Sequence, residues 1–432
     1  MNRREFGRKV AAGSVAMGFP AINRPSTIIG ANDRIRTAFV GVRNRGGQVM
    51  DSFMTHSETE VAALCDIDAG VLAEAETNAR KKGHKPAIYK DYYKMLEKGD
   101  FDAVVIATPD HWHALQFVAA ADEKKDVYVE KPLSITVVEG RKMVQAARRN
   151  NIVSQVGTQR RSSPGVIDAC TKMQQGYIGK ITVTRGFRVS NMYPNGIGVS
   201  PKTEPPSGFD WNTWLGPRPF IPYTENYHPY KFRWHKAYSS QMGNWGVHYL
   251  DIMRYALDVE YPTRVVAIGG QYAVMDDRDI PDTMQVTYEW PTGGIGVFGQ
   301  YEANGGNCTA LPADVEYRGT KGNLYLRGGK YEVVPTKDGQ FQNEGQRIEP
   351  FKYESDVSTD RHTRNFLDCM KTRALCTADI EIGHRSTSAA LIGNIALELG
   401  EVLHWDGEKE RFTNNDKAND LLHYEYRSPW KL

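Results

Sequence analysis

The sequence predicts an α/β protein with two parts: a doubly wound parallel sheet, then an α+β domain on a large open, mostly antiparallel sheet. Three observations predict this. From residue 35 to 129, short apolar or β-branched runs alternate with helical stretches, the pattern of βαβ units. The residues with chemical character stand at the ends of those runs. After Arg264 the chain becomes a succession of strands and glycine turns.

The totals fit. At 432 residues there is room for two or three domains, and 40% hydrophobic with 25% charged residues is ordinary for a globular protein. A net charge of +2 implies no nucleic-acid partner. That excess sits in residues 1–31, which begin with the twin arginine Arg3-Arg4 before Glu5-Phe6. The weakly apolar run Val10–Ala21 follows; it is too short to span a membrane. This is the pattern of a twin-arginine signal. It predicts folded export by the twin-arginine machinery to the periplasm or another extracytoplasmic space, with no stable membrane anchor. The five cysteines are odd in number and lack metal-site spacing, so buried free thiols are expected, with Cys369 and Cys376 the pair able to bridge.

Ile35–Val40 reads as the first strand. Gly41-Val42-Arg43-Asn44-Arg45-Gly46 follows as a turn into a helix at Gln48–Phe53. Strand, glycine turn and helix start together make an anion site for a pyrophosphate. Gly41 and Gly46 fit the first and third glycines of the dinucleotide pattern, and Arg43 stands at the second. There it either supplies charge to the phosphates or crowds them. Val61–Cys65 is the next strand and ends at Asp66, twenty residues past Gly46. An acid at that tip accepts hydrogen bonds from a ribose and repels a 2′-phosphate, favouring NAD over NADP.

Helix Ala69–Lys82, a short Ala87–Tyr89 segment and the buried strand Phe101–Ala107 continue the alternation. The last ends in Thr108-Pro109-Asp110-His111-Trp112-His113. Two histidines without a third ligand are poor evidence for a metal, so none is predicted. After helix Ala114–Glu123 comes Val127-Tyr128-Val129-Glu130-Lys131-Pro132-Leu133, a strand stopped by proline with Lys131 at its tip. The cofactor-facing set is Gly41, Arg43, Asn44, Arg45, Gly46, Asp66, Thr108, Pro109, His111, His113, Glu130 and Lys131. The Rossmann domain is assigned to residues 32–156 and the second domain to residues 157–432.

These motifs, in this order, resemble the Gfo/Idh/MocA oxidoreductases, and the leader with Gly157-Thr158-Gln159-Arg160-Arg161 resembles their exported branch. The resemblance implies NAD(P) on the Rossmann domain and a sugar or cyclitol held against the C-terminal sheet. It also implies that Lys131 contacts the reacting hydroxyl, that the Lys131–Pro132 peptide is cis, and that a homodimer or homotetramer forms.

Helix Glu139–Asn150 and strand Ile152–Val156 lead into the second domain at Gln159, Arg160 and Arg161, which are substrate contacts or a solvated basic corner. Residues 190–240 lose periodicity and carry many aromatics, among them Trp234. They suit either sugar stacking or a self-packed loop. In Gln241–Leu257, helical spacing puts Asn244, His248 and Asp251 on one face, a proton-handling row. The family's Asp-x-x-x-His pair has its histidine at His248, but Asn244 replaces the aspartate. That leaves His248 as the base. Strands near 265–269, 283–290, 294–300, 313–319 and 323–326 fit the open sheet. Helices follow near 359–371 and 387–399, with His384 placed near the cleft and an aromatic tail expected to dock.

The catalytic set is therefore Lys131, His248 and Asn244. The substrate set is Lys131, Gln159, Arg160, Arg161, Trp234, Asn244, His248 and Asp251. The expected function is NAD-dependent oxidation of a sugar, glycoside or cyclitol hydroxyl. The alternatives are an NAD-dependent glycosidase or lyase with no net redox change, and a non-catalytic sugar-binding relative.

Overall fold

A computed structural model describes residues 34–336 and 348–432; the twin-arginine leader lies outside the described residues. The first part of the chain runs β1 (Ile35–Val40), α1 (Arg45–Phe53), β2 (Thr59–Cys65), α2 (Ala69–Lys81), β3 (Ala87–Tyr89) and α3 (Tyr92–Glu97). It continues through β4 (Ala103–Ile106), α4 (His113–Asp122), β5 (Asp126–Val129), α5 (Val137–Arg149) and β6 (Ser154–Val156). These strands form a parallel sheet in the order β3-β2-β1-β4-β5-β6. β4 and β5 are buried throughout, as parallel strands covered on both faces must be. The order reverses between β1 and β4, which opens a crevice at the strand tips.

Most helix starts here are closed by their own sequence. Asp68 caps α2, and Thr136 with Glu139 forms a reciprocal capping box on α5. The start of α1 differs: Asn44 makes no side-chain cap, and its φ of 44° lies in the left-handed region. For a non-glycine residue that conformation costs energy.

The second part runs α6 (Pro164–Gln174), β7 (Ile181–Val189), α7 (Trp211–Leu215), α8 (Val247–Leu257), β8 (Arg264–Gly270), β9 (Thr283–Glu289) and β10 (Ile295–Tyr301). Then come β11 (Val315–Gly319), β12 (Gly322–Arg327), β13 (Lys330–Pro335), β14 (Phe351–Tyr353), α9 (Thr359–Thr372) and α10 (Ile380–Leu399). β15 (Leu403–Asp406), β16 (Arg411–Phe412) and α11 (Asp416–Asp420) close the chain. Ten strands form one open sheet, β14-β13-β12-β11-β7-β10-β9-β8-β15-β16. β7 and β10 pair parallel and the remaining neighbours antiparallel. Residues of α6, α8 and α10 pack with inward residues of this sheet into the largest apolar core. No helix among the described residues is long and apolar enough to cross a membrane. All five cysteines are free.

Three local readings need correction. β7 was not expected, although its sequence alternates as a strand should; Arg185 in its middle is compensated by Glu316. The last long helix begins at Ile380, seven residues earlier than predicted, because Asp379 caps it by accepting from the Glu381 amide. His384 therefore lies inside that helix, away from the cleft. Its Nε2 is 2.6 Å from Glu410, and its ring fills the space a side chain at Gly140 would take.

The two parts of the chain are knitted together. α9 returns from the second part to the parallel sheet, where Phe366 meets Phe53 and Tyr128 edge to face, at 6.2 and 6.1 Å. Phe366→Ala is expected to cost about 3–5 kcal/mol by cavity formation. Chemical denaturation checks this, and a loss below about 1 kcal/mol would show that α9 is anchored elsewhere.

Candidate active site

The crevice between β1 and β4 is a cavity of about 500 Å³. On one side lie the glycine turn, Asp66, Thr108, Pro109 and Trp112; on the other are Trp214, His228, Phe232 and Arg233. Backbone packing dictates the two turn glycines. A Cβ on Gly41, whose φ is +80°, would sit 2.8 Å from the Ala107 carbonyl carbon, and one on Gly46 would sit 1.9 Å from the Gly41 oxygen. Asp66 accepts the Val42 amide on one oxygen and the Asp68 amide on the other, each at 3.0 Å. Burial raises its pKa. Arg43 is held at 2.5 Å by Asp68, so its guanidinium is committed to the β2 side of the turn. An uncapped helix start, obligate glycines at the turn and a carboxylate at the β2 tip are what a dinucleotide requires. The residues present fit one.

The second focus is Lys131 at the tip of β5, half-buried, after which the peptide to Pro132 is cis. Its Nζ donates to the Asn244 backbone carbonyl at 2.8 Å and to Asn244 Oδ1 at 3.0 Å. Both acceptors are neutral. Burial outweighs the attraction of Glu130 and Asp110 and brings the Lys131 pKa down to about 8. Asn244 can offer both oxygens because residues 242–246 form a π turn, not the α-helix that the spacing predicts.

His248 follows in the first turn of α8, buried, with no hydrogen bond at Nδ1. Burial, then the charges of Lys131 and Arg160, hold its pKa well below the usual histidine range, so the ring is neutral. Beneath them Glu130 is paired with Arg45 at 2.9 Å and accepts the Tyr128 hydroxyl at 3.4 Å. Burial pushes the Glu130 carboxyl up, but Arg45 and Lys131 outweigh it and keep it ionised. Gly157 makes room: a Cβ there would lie 2.6 Å from that carboxyl group.

Several expected contacts lie elsewhere. Asp251 does not share a working face with Asn244 and His248. Both its oxygens are 2.8 Å from Arg161 Nε, and Ser386 donates to it at 2.7 Å. The π turn rotates the register between Asn244 and α8, and two buried opposite charges satisfy each other. Arg160 is 3.2 Å from Asp314 and lies over the Tyr249 ring, while Gln159 keeps a buried, unpartnered oxygen. Trp234 donates its indole N–H to Glu302 at 2.9 Å and packs with Ile197 and Ile280, away from the cavity wall. Glu130, His111 and His113 stand behind that wall. His111 bonds the Trp214 carbonyl at 2.8 Å, and His113 bridges the carbonyls of Thr108 and Pro132, at 2.9 and 2.8 Å.

Among the described residues no group of three or more His, Cys, Asp or Glu could hold a metal ion. The aromatic stretch packs mostly on itself around the stacked pair Trp211–Trp214, 4.7 Å apart, and its Trp214, His228 and Phe232 face the nucleotide cavity. Of the motif His111-Trp112-His113, which the sequence places along the cleft, Trp112 lines it; Trp214, Arg233 and Trp430 also belong to this wall, whereas the sequence reads the first two only as sugar-stacking or self-packed residues and the last as part of a docking tail. Only their local aromatic and basic density hinted at it.

Comparison with known proteins gives the lineage of this arrangement. Residues 35–158 match the oxidoreductase-family NAD-binding Rossmann fold of the Gfo/Idh/MocA proteins, and residues 176–432 match the C-terminal alpha/beta domain of the same family. A glycosyl hydrolase family 109 protein of Shewanella pealeana is 33% identical over 147 residues, 33% of this chain and 30% of that protein. The scyllo-inositol 2-dehydrogenase (NAD(+)) of Bacillus subtilis is 30% identical over 154 residues, 36% of this chain and 44% of that enzyme. The chain thus spans less than half the length of these curated relatives. The solved structure of a levoglucosan dehydrogenase with NADH and levoglucosan superposes with a TM-score of 0.65 at 17% identity, over 86% of this chain and 99% of that one. The similarity at that identity is one of fold. With both family domains matched over most of its length, the chain belongs to the Gfo/Idh/MocA oxidoreductase family and carries its NAD-binding Rossmann domain.

Proposed function

We propose that the protein oxidises or reduces a hydroxyl-bearing carbon of a sugar, glycoside or cyclitol with NAD. The observation that carries this reading is the Lys131 ammonium just past the tip of β5, held by two neutral Asn244 oxygens. When bound, NAD supplies the hydride acceptor or donor. The chain's own residues manage the proton and the developing charge. Neutral His248, with Nδ1 unpartnered, accepts the hydroxyl proton. Lys131, protonated at neutral pH, hydrogen-bonds the alkoxide that forms, its own hydrogen-bond acceptors being neutral. Asn244 orients Lys131 and has no negative charge to offer as a base.

A second reading has a specific observation behind it. A relative carries the name glycosyl hydrolase family 109 protein. The same proton-handling pair would serve a redox-assisted glycosidase, in which oxidation is transient and the aglycone leaves without net NADH. Release of aglycone without accumulation of NADH would select this reading; stoichiometric NADH would select simple dehydrogenation. Export of the folded, loaded enzyme is proposed from Arg3 and Arg4.

Lys131→Met is expected to lower turnover by about 10²–10⁴-fold while NAD binding and the melting temperature are retained. Turnover close to wild type would remove Lys131 from the mechanism. Because Lys131 must be protonated to hold the alkoxide, kcat/KM for oxidation should fall as pH rises through about 8. A rise through that pH would instead make neutral Lys131 the base. Asn244→Asp puts a carboxylate beside the ammonium, favours its charged form and should move that limb to higher pH. An unmoved limb would mean another group titrates.

A further inference from the structure

The chemistry above leaves residues 423–432 without a task, yet they are bound to both walls of the nucleotide cavity. On the Rossmann side, the Tyr426 hydroxyl donates to Glu139 of α5 at 2.5 Å, and Trp430 meets Trp112 edge to face at 6.0 Å. Trp430 itself lines the cavity. On the aromatic side, Arg427 grips the end of α7. Its Nη1 donates to Asn212 Oδ1 at 2.7 Å, and its Nη2 donates to the Asn212 carbonyl at 3.0 Å and the Gly216 carbonyl at 2.9 Å. Its backbone amide donates to the Pro217 carbonyl at 2.9 Å, and its guanidinium lies 4.7 Å from the Trp430 ring. A cation at a helix C-terminus satisfies carbonyls the helix leaves over. Next to it the Arg218 guanidinium covers the Tyr424 ring at 3.8 Å. α7 carries Trp214, whose carbonyl receives the Trp112 indole N–H at 3.0 Å.

One short segment therefore ties α7 to α5 and to Trp112, beside a cavity that a dinucleotide would fill. The aromatic wall cannot swing away from the strand tips without breaking the Arg427 contacts or pulling Trp430 off Trp112. We propose that residues 424–430 are a latch that retains the dinucleotide: Trp430 forms part of its wall, and Arg427 is a positioning residue for the α7 side. The inference rests on the NAD reading of the cavity. Its consequence is slow exchange of cofactor, so that one bound molecule serves many turnovers. That condition suits chemistry which returns its hydride within the same site.

The test is release of NADH from the full chain, followed by its fluorescence after dilution into excess NAD. Wild type should release slowly. Arg427→Ala and Trp430→Ala should each release at least tenfold faster with unchanged far-UV circular dichroism. Arg427→Lys should fall between, because it keeps the charge and loses the planar fork. Trp430→Phe, which keeps an aromatic wall, should stay near wild type. If wild type holds NADH and both alanine variants release it at the same rate, with only a lowered melting temperature, the segment is a structural tail and the latch is wrong. If Arg427→Ala does not fold, the Trp430 pair decides alone. If wild type binds no NADH, the nucleotide reading falls and takes the latch with it.

Discussion

The ammonium of Lys131, held in a partly desolvated site by two uncharged oxygens, is the interaction on which the rest of the site depends. A lysine paired with a carboxylate would be a closed ion pair with little to offer an incoming oxyanion. Here the nearby negative charge, Glu130, is already bound to Arg45 and hydrogen-bonded by Tyr128. The site keeps a positive charge in reserve at moderate cost, visible as a pKa brought down to about 8. His248, four residues beyond Asn244, remains neutral largely for the same reasons: burial and the neighbouring cation. The base and the electrostatic clamp proposed for catalysis would thus be set by one local arrangement of charge.

The fold supplies that arrangement through close backbone approaches. Gly157 lets β6 pass against the Glu130 carboxylate, and Gly41 and Gly46 let β1 and α1 approach the crevice. His113 joins the tip of β4 to the Pro132 carbonyl beyond β5, tying these two strand-tip loops together. α9, returning to pack Phe366 under Tyr128, stiffens the strand that carries Lys131 from behind. The aromatic stretch and the final segment then close the opposite side. Rigidity at the strand tips and closure around them are separate tasks, performed by distant parts of the sequence.

Much of this was legible beforehand because it is written in local patterns. Most of the parallel strands, the glycine turn, Asp66 and Lys131 at their strand tips, and the open sheet all follow from short-range periodicity and turn chemistry. What could not be read depends on partners far apart in sequence. Arg161 and Asp251, ninety residues apart, looked like two cleft groups and are one buried ion pair. Trp234 looked like a sugar platform, but its indole had to find an acceptor and found Glu302. The 3.6-residue period placed Asn244 in register with Asp251. A π turn, which leaves no composition signal, breaks that register and aims Asn244 at Lys131. Arg43 was ambiguous in the sequence because its partner, Asp68, stands on another element, after the β2 tip.

The measurement that bears most directly on this account is the titration of Lys131 itself. ¹³C NMR of the lysine Cε carbons in the nucleotide-free protein, with the Lys131 signal assigned by its loss in Lys131→Met, gives the pKa without any assumption about substrate. A midpoint near 8 is the expected result. A midpoint at or above the ordinary lysine value of about 10.4 would mean that a negative charge compensates the ammonium, and the electrostatic basis proposed for catalysis would be wrong.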